Sequence, residues 1–231
     1  MSDLPEFDRY ASTYDAELNQ GLSVTGEEKE YFAQGRVNWL RHCLESLPPS
    51  PRLVMDYGCG IGDTTVLLLD AFHLNSVVGL DVSARSLEVA RLKHASQQCR
   101  FLAFDEYIPS AEIDLVYCNG VFHHIPLEMR NPALDYILRC LRPGGLFALW
   151  ENNPWNPGTR YVMSRVPFDR DAVTITPPQA KELLRGRGFE IVGISFLFWF
   201  PRFLKPLRLI EPYLSRIPMG AQYQVLCRKP V

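Results

Sequence analysis

The stretch Leu53-Val54-Met55-Asp56-Tyr57-Gly58-Cys59-Gly60-Ile61-Gly62-Asp63 narrows the possible folds more than any other part of the chain. An apolar run ends in an acidic residue, three glycines follow at alternate positions, and Thr64 to Phe72 reads as a helix. This is a strand, a tight turn and a helix start, the arrangement that brings backbone close to a nucleotide-like ligand. Each glycine removes a Cβ that would hold the ligand away and allows φ values other residues avoid. An ordinary glycine-rich turn fits the same letters, so the flanking sequence has to decide.

Strands and helices alternate on both sides of the turn. Strand Leu53–Asp56 and a helix over about 63–72 lead to strand Ser76–Asp81, then to a helix with Ser83 as N-cap that ends near Ser96. Strands follow at Arg100–Phe104 and Ile113–Cys118, the latter almost wholly apolar or β-branched, as a strand buried on both faces should be. A helix near 131–142 meets the stop signal Arg142-Pro143-Gly144-Gly145, and a strand follows at Leu146–Trp150. A helix at about 178–187, a strand at about 189–197 and a last strand at Tyr223–Arg228 complete the series. The repetition predicts an α/β fold, a doubly wound, Rossmann-like sheet with its chemistry at the carboxyl ends of the strands.

Two parts lie outside this rhythm. Residues 1–51 form an N-terminal lid and helix, with a T-x-x-E capping pattern at Thr25-Gly26-Glu27-Glu28 and an apolar stripe through Phe32, Val37, Leu40 and Leu44. Within the 52–231 domain, cover insertions fall at about 151–176 and 198–218. Glu151 to Gly158 is expected to be irregular, and loops of this length in a compact domain are usually functional or disordered.

Charge and cysteine usage exclude several classes. A net charge of -2 does not point to nucleic acid. The ends differ, with eight acidic against two basic residues over 1–35 and six basic against one acidic over 196–231. The start, Met1-Ser2-Asp3-Leu4-Pro5-Glu6, is acidic where a secretory leader would be basic. Phe196–Phe200 is too short an apolar run to span a bilayer. Six scattered cysteines with no C-x-x-C and no histidine at metal spacing predict free thiols, no metal and a reducing, cytoplasmic setting.

The strand ends supply the candidate site. Asp56 precedes the glycines, and Asp81 ends the second strand, where an acceptor-only carboxylate suits the two hydroxyls of a ribose. Phe104-Asp105 offers an aromatic face and an acceptor for an amino group such as that of adenine. The fourth strand end, Asn119-Gly120-Val121-Phe122-His123-His124-Ile125-Pro126, places two imidazoles and an amide beside the glycine turn. A nicotinamide dinucleotide fingerprint would need glycine where Asp63 stands, and an acid at a helix N-terminus disfavours a pyrophosphate there. S-adenosylmethionine, with its cationic sulfonium and zwitterionic tail, fits better.

Taken together, Val54–Gly62, Val78–Ser83, Phe104-Asp105, Ile113–Val116, Phe122–Ile125 and Leu141–Gly145 resemble the class I S-adenosylmethionine-dependent methyltransferases, from about residue 52 to the C-terminus. The resemblance implies seven strands, mostly parallel, with the last, Tyr223–Arg228, antiparallel. It implies that Gly58, Gly60 and Gly62 lie against the cofactor's amino acid moiety, that Asp81 takes the ribose with Val82 beside it, that Phe104 and Asp105 meet the adenine, and that Asn119 lines the pocket. Phe7–Asp15 resembles the family's N-terminal lid, with Tyr14 closing over the cofactor.

For such a cofactor the protein has to align a nucleophile with the S–CH₃ bond and exclude water. If the acceptor carries a proton, the candidate bases are His123, His124 and Glu151, since imidazole titrates near neutrality. The aromatic and basic run Phe196–Ile210 leaves three readings: core packing, a pocket for a hydrophobic acceptor, or contact with an anionic membrane face. The function expected is methyl transfer to a small, partly hydrophobic acceptor. A cofactor-binding regulatory or scaffold protein without methyl transfer is the alternative.

Overall fold

The computed structural model describes residues 14–47, 49–169 and 172–231, with the side chains of Tyr14 and Asp15 outside the description. The lid motif at Phe7–Asp15 and the role expected of Tyr14 therefore fall outside the described residues.

Helices α1 (Tyr14–Leu22) and α2 (Lys29–Leu44) precede β1 (Leu53–Tyr57), α3 (Asp63–Phe72), β2 (Ser76–Asp81), α4 (Ala84–His94) and β3 (Cys99–Ala103). Then come β4 (Ile113–Asn119), α5 (Leu127–Cys140), β5 (Leu141–Asn152), α6 (Pro157–Met163) and α7 (Pro177–Gly186). The chain ends with β6 (Glu190–Leu197), a 3₁₀ helix (Arg202–Ile210), α8 (Glu211–Leu214) and β7 (Gln222–Arg228). The seven strands make one sheet in the order β3-β2-β1-β4-β5-β7-β6. Pairings from β3 across to β5 are parallel, and β7 runs antiparallel to both neighbours. The sheet is wound outward both ways from β1 and β4, so a crevice opens at their carboxyl ends.

The strand alternation drives apolar side chains into two layers. In β4, Val116 and Cys118 face the core with Leu134 and Ile137 of α5 and Leu184 of α7. Leu115 and Tyr117 face the other layer with Val37 and Leu40 of α2, Leu68 of α3 and Leu87 of α4. Burial on both faces is why this strand carries no alternating polar residues. Ser83 caps α4 as the sequence predicts, accepting from Ser86 N at 3.1 Å.

Three expectations are corrected. Thr25 does not cap α2: its hydroxyl closes the preceding turn, donating to Leu22 O (2.7 Å) and accepting from Glu27 N (3.1 Å), and α2 begins at Lys29. Arg142–Gly145 lies inside β5 and does not separate it from α5, which ends at Cys140, because Leu141 already pairs with Ile113 and Gly144 and Gly145 bond Lys229. Glu151 to Gly158 is partly regular: Glu151 and Asn152 extend β5 against Tyr223 and Gln222, and Pro157 opens α6 behind an Asn156 cap. Proline at the first helical position loses no bond, which is how a Pro-Gly pair starts a helix here. Among the described residues no helix is long and apolar enough to cross a membrane.

Candidate active site

A cavity of about 430 Å³ opens at the carboxyl ends of β1 and β4. Asp56, Gly58, Gly60 and Asn119 form its floor, His123, His124 and Asp169 one wall, and Tyr31, Phe32, Phe198 and Trp199 part of an aromatic roof. The floor follows from the sheet: β1 pairs with β2 and β4, so the glycine turn, the end of β2 and Asn119 converge.

The turn is braced from β2. Asp81 accepts from Gly60 N and from Ser83 N, each at 2.8 Å. A carboxylate has about four acceptor positions, so these bonds do not by themselves preclude a ribose contact. Gly60 has φ +53°, and a Cβ built there meets nothing within 4 Å. That open space is where a ligand can approach the backbone. Gly62 differs: its Cβ would stand 2.6 Å from the Phe101 ring and 3.1 Å from Ala90 Cβ, and it does not line the cavity. Packing of α3 on β3 and α4 is enough to require a glycine there.

The adenine-side residues lie apart from this cavity. Val82 is 61% exposed and Asp105 is exposed, both on open surface at the ends of β2 and β3. Phe104 packs its ring against Tyr57 (4.7 Å between centroids) and Tyr136 (5.6 Å).

Asp56 is wholly buried and accepts from Thr65 Oγ1 at 2.7 Å. Burial pushes its pKa up to about 7, Thr65 and Arg36 pulling it down and Asp81 raising it further. Asp63, in the first turn of α3, binds Lys29 Nζ at 2.5 Å and His94 Nε2 at 2.8 Å. Burial would raise its pKa, but those two partners outweigh it and hold the carboxyl below its ordinary value. The positive end of the α3 dipole therefore already has its anion.

His123 is 3% exposed, with Nδ1 2.5 Å from Glu151 Oε2 and Nε2 3.5 Å from Asp169 Oδ1. Burial disfavours the charged ring, yet the two carboxylates prevail and lift the pKa to about 10. Asp169 moves the other way: burial raises it, but the two histidines bring it down to about 2. The carboxylates on either side of the ring favour its protonated form, which weighs against His123 acting as a neutral base. Glu151, 1% exposed, also accepts from Phe122 N at 2.9 Å and lies behind His123, off the cavity. His124 Nε2 stands 3.3 Å from Asp169 Oδ1 at the cavity wall. His123, His124 and Asp169 place donor atoms within 4.8 Å of one another, a set that could hold a metal ion. The carboxylates of Asp169 and Glu151 already neutralise charge there.

Asp169 escapes sequence reading because Pro167-Phe168-Asp169 after α6 belongs to no motif and lies 45 residues from His124 in sequence, although the fold sets it beside that ring. Arg36 escapes too: Nε donates to Tyr117 OH (3.1 Å) and Nη1 to Gln222 Oε1 (2.9 Å), partners from two remote strands, β4 and β7.

This geometry agrees with what known proteins resemble the chain. Residues 55–147 match a family model described as a methyltransferase domain. A trans-aconitate 2-methyltransferase of Azoarcus sp. (strain BH72) is 32% identical over 148 residues, 62% of this chain and 57% of that protein. Over residues 55–147 the chain is similar to a methyltransferase domain. A second trans-aconitate 2-methyltransferase, from Rhodopseudomonas palustris (strain BisB5), is 27% identical over 63% of the chain and 56% of its own length. The chain thus spans little more than half of these curated relatives. In fold, the domain resembles an S-adenosylmethionine-dependent methyltransferase from Mesorhizobium loti (TM-score 0.59, 20% identity, 84% and 98% of the two chains). The open space at Gly60 leaves room for a ligand to lie against the backbone of the turn.

Proposed function

We propose that the chain transfers a methyl group to a small, partly apolar organic acceptor held between the His123–His124 wall and the aromatic roof. The observation that carries this is the lining of the cavity: a glycine turn for the cofactor below and Tyr31, Phe32, Phe198 and Trp199 above. Bound S-adenosylmethionine supplies an electrophilic methyl group. Gly58, Gly60 and Asn119 would hold its amino acid end and Asp81 its ribose, with Val82, Phe104 and Asp105 toward the adenine. The aromatic roof excludes water and orients the acceptor. His124 is the imidazole placed to accept a proton, while Glu151 and His123 position Asp169 behind it.

The acceptor proposed here differs from the tricarboxylate that the relatives are named for. Cations lining the cavity are engaged within the protein: Lys29 with Asp63, Arg208 with Glu27, and Arg36 with Tyr117 and Gln222. A polyanion would have to displace those partners. Calorimetric titration with S-adenosylmethionine and with NAD, then a metabolite panel scored for S-adenosylhomocysteine, tests the reading. Binding of S-adenosylmethionine alone and turnover on an apolar acceptor, lost in His124→Ala with cofactor affinity kept, is the expected result. Binding without turnover across the panel would favour a regulatory or scaffold role.

A further inference from the structure

The segment after β6 has a surface that methyl transfer does not explain. Phe203, Leu209 and Tyr213 are 77%, 84% and 85% exposed, and Leu207, Ile210 and Ile217 stand partly out beside them. Single exposed apolar side chains are normal on any protein, but a run of them marks an interaction site.

The charges of this segment are sorted. Glu211, the one acid over 196–231, turns inward and accepts from Trp199 N (3.1 Å) and Phe200 N (2.9 Å). Arg208 also points inward, bonding Phe200 O (3.0 Å) and Glu27 (2.8 Å) and lying 4.4 Å from the Tyr31 ring centroid. Arg202, Lys205 and Arg216 stay at the surface. In a 3₁₀ helix side chains three apart stack. Beyond the kink at Leu204, Pro206 and Leu209 are both exposed, whereas Lys205 is exposed and Arg208, three further on, bends inward to Phe200 O and Glu27. The outward face is apolar, aromatic and cationic, with no outward acid between Arg202 and Ile217.

We propose that this face docks on an anionic lipid bilayer, with Phe203, Leu209 and Tyr213 in the interface and Arg202, Lys205 and Arg216 against the headgroups. The complement of this face is a negatively charged layer with an apolar interior directly beneath it, which a bilayer provides. Trp199, Phe200 and Pro201 line the cavity and run straight into Arg202, so the docked face stands beside the cavity mouth. This inference goes beyond the methyl-transfer reading and does not depend on it.

The test is flotation of the full chain with vesicles of phosphatidylcholine plus phosphatidylglycerol, against phosphatidylcholine alone. The chain should float with the anionic vesicles only, and raised salt should release it. The combined Phe203→Asp, Leu209→Asp, Tyr213→Asp variant should bind roughly tenfold or more weakly. Each neutralisation among Arg202→Gln, Lys205→Gln and Arg216→Gln should cost roughly fivefold. All these side chains are exposed, so unfolding midpoint and S-adenosylmethionine affinity should not move. No flotation, flotation that the triple variant retains, or a dimer that the triple variant abolishes would overturn the proposal. Vesicle binding without cofactor binding would instead sink the methyl-transfer reading alone.

Discussion

Asp81→Ala should unsettle the glycine turn before any ligand is considered. The carboxylate receives two backbone N–H groups, from Gly60 and Ser83, both at 2.8 Å, and is itself only 8% exposed. Hydrogen bonds to a charged acceptor contribute about 1.5–3 kcal/mol each. Losing both costs about 3–6 kcal/mol, a large share of the ~5–15 kcal/mol that holds a typical domain together. Asp81→Asn keeps one acceptor oxygen and should lose about half as much. Urea unfolding followed by far-ultraviolet dichroism reads this as a lower midpoint at unchanged slope. Calorimetry on the folded Asn variant then reads the cofactor, for which weaker binding is expected. A midpoint within about 0.5 kcal/mol of the parent for the Ala variant would refute the brace. Unchanged affinity in the Asn variant would refute the ribose assignment.

Two further outcomes follow from the same geometry. The raised pKa of His123, about 10 against 6.5 unfolded, gives stabilisation that is complete below about pH 6.5 and lost as pH climbs toward 10. Thermal melts should fall across that window, and His123→Gln should flatten them; Glu151→Gln, which strips one carboxylate from a buried imidazolium, should cost about 3–5 kcal/mol. Gly60→Ala and Gly62→Ala should separate binding from packing. The first should lose only about 1–2 kcal/mol for its positive φ but weaken S-adenosylmethionine binding, since its methyl enters the open cradle. The second should lose roughly 1–3 kcal/mol more, because Phe101 and Ala90 stand in the way. Calorimetry paired with scanning unfolding checks both, and equal cofactor affinity in Gly60→Ala and the parent would count against the cradle.

The sheet was legible because strands buried on both faces write themselves as apolar runs between turn residues, and Ile113–Asn119 is such a run. The floor of the site came with it, since strand order alone brings Asp56, the glycines and Asn119 to one edge. What local spacing does not carry is contact between remote segments. Whether a glycine is needed by a ligand or by a neighbouring ring depends on where Phe101 of β3 falls, and nothing within residues 58–62 encodes that. Glu151 was visible as a strand-end acid, but the parallel register of Asn119 with Trp150 is what turns it toward His123. The boundaries at Thr25 and Arg142 were misread for a related reason. A capping pattern and a Pro-Gly stop are local preferences: at Thr25 a competing local turn bond to Leu22 O takes the hydroxyl, and at Gly144 and Gly145 ladder bonds with the remote Lys229 draw the segment into the sheet.

Strand β7 follows β6 in the chain, yet it sits between β5 and β6. During synthesis β6 can exist as a sequence for some time before it has anything to pair with, because its ladder partner is still in the ribosome. A fragment ending ahead of Gln222 leaves two open sheet margins where the intact fold has one seam, and Phe198 to Pro201 lose the strand that follows them into place. Gln222 at the start of β7 lines the cavity, so the strand that joins β5 to β6 also helps to shape the site.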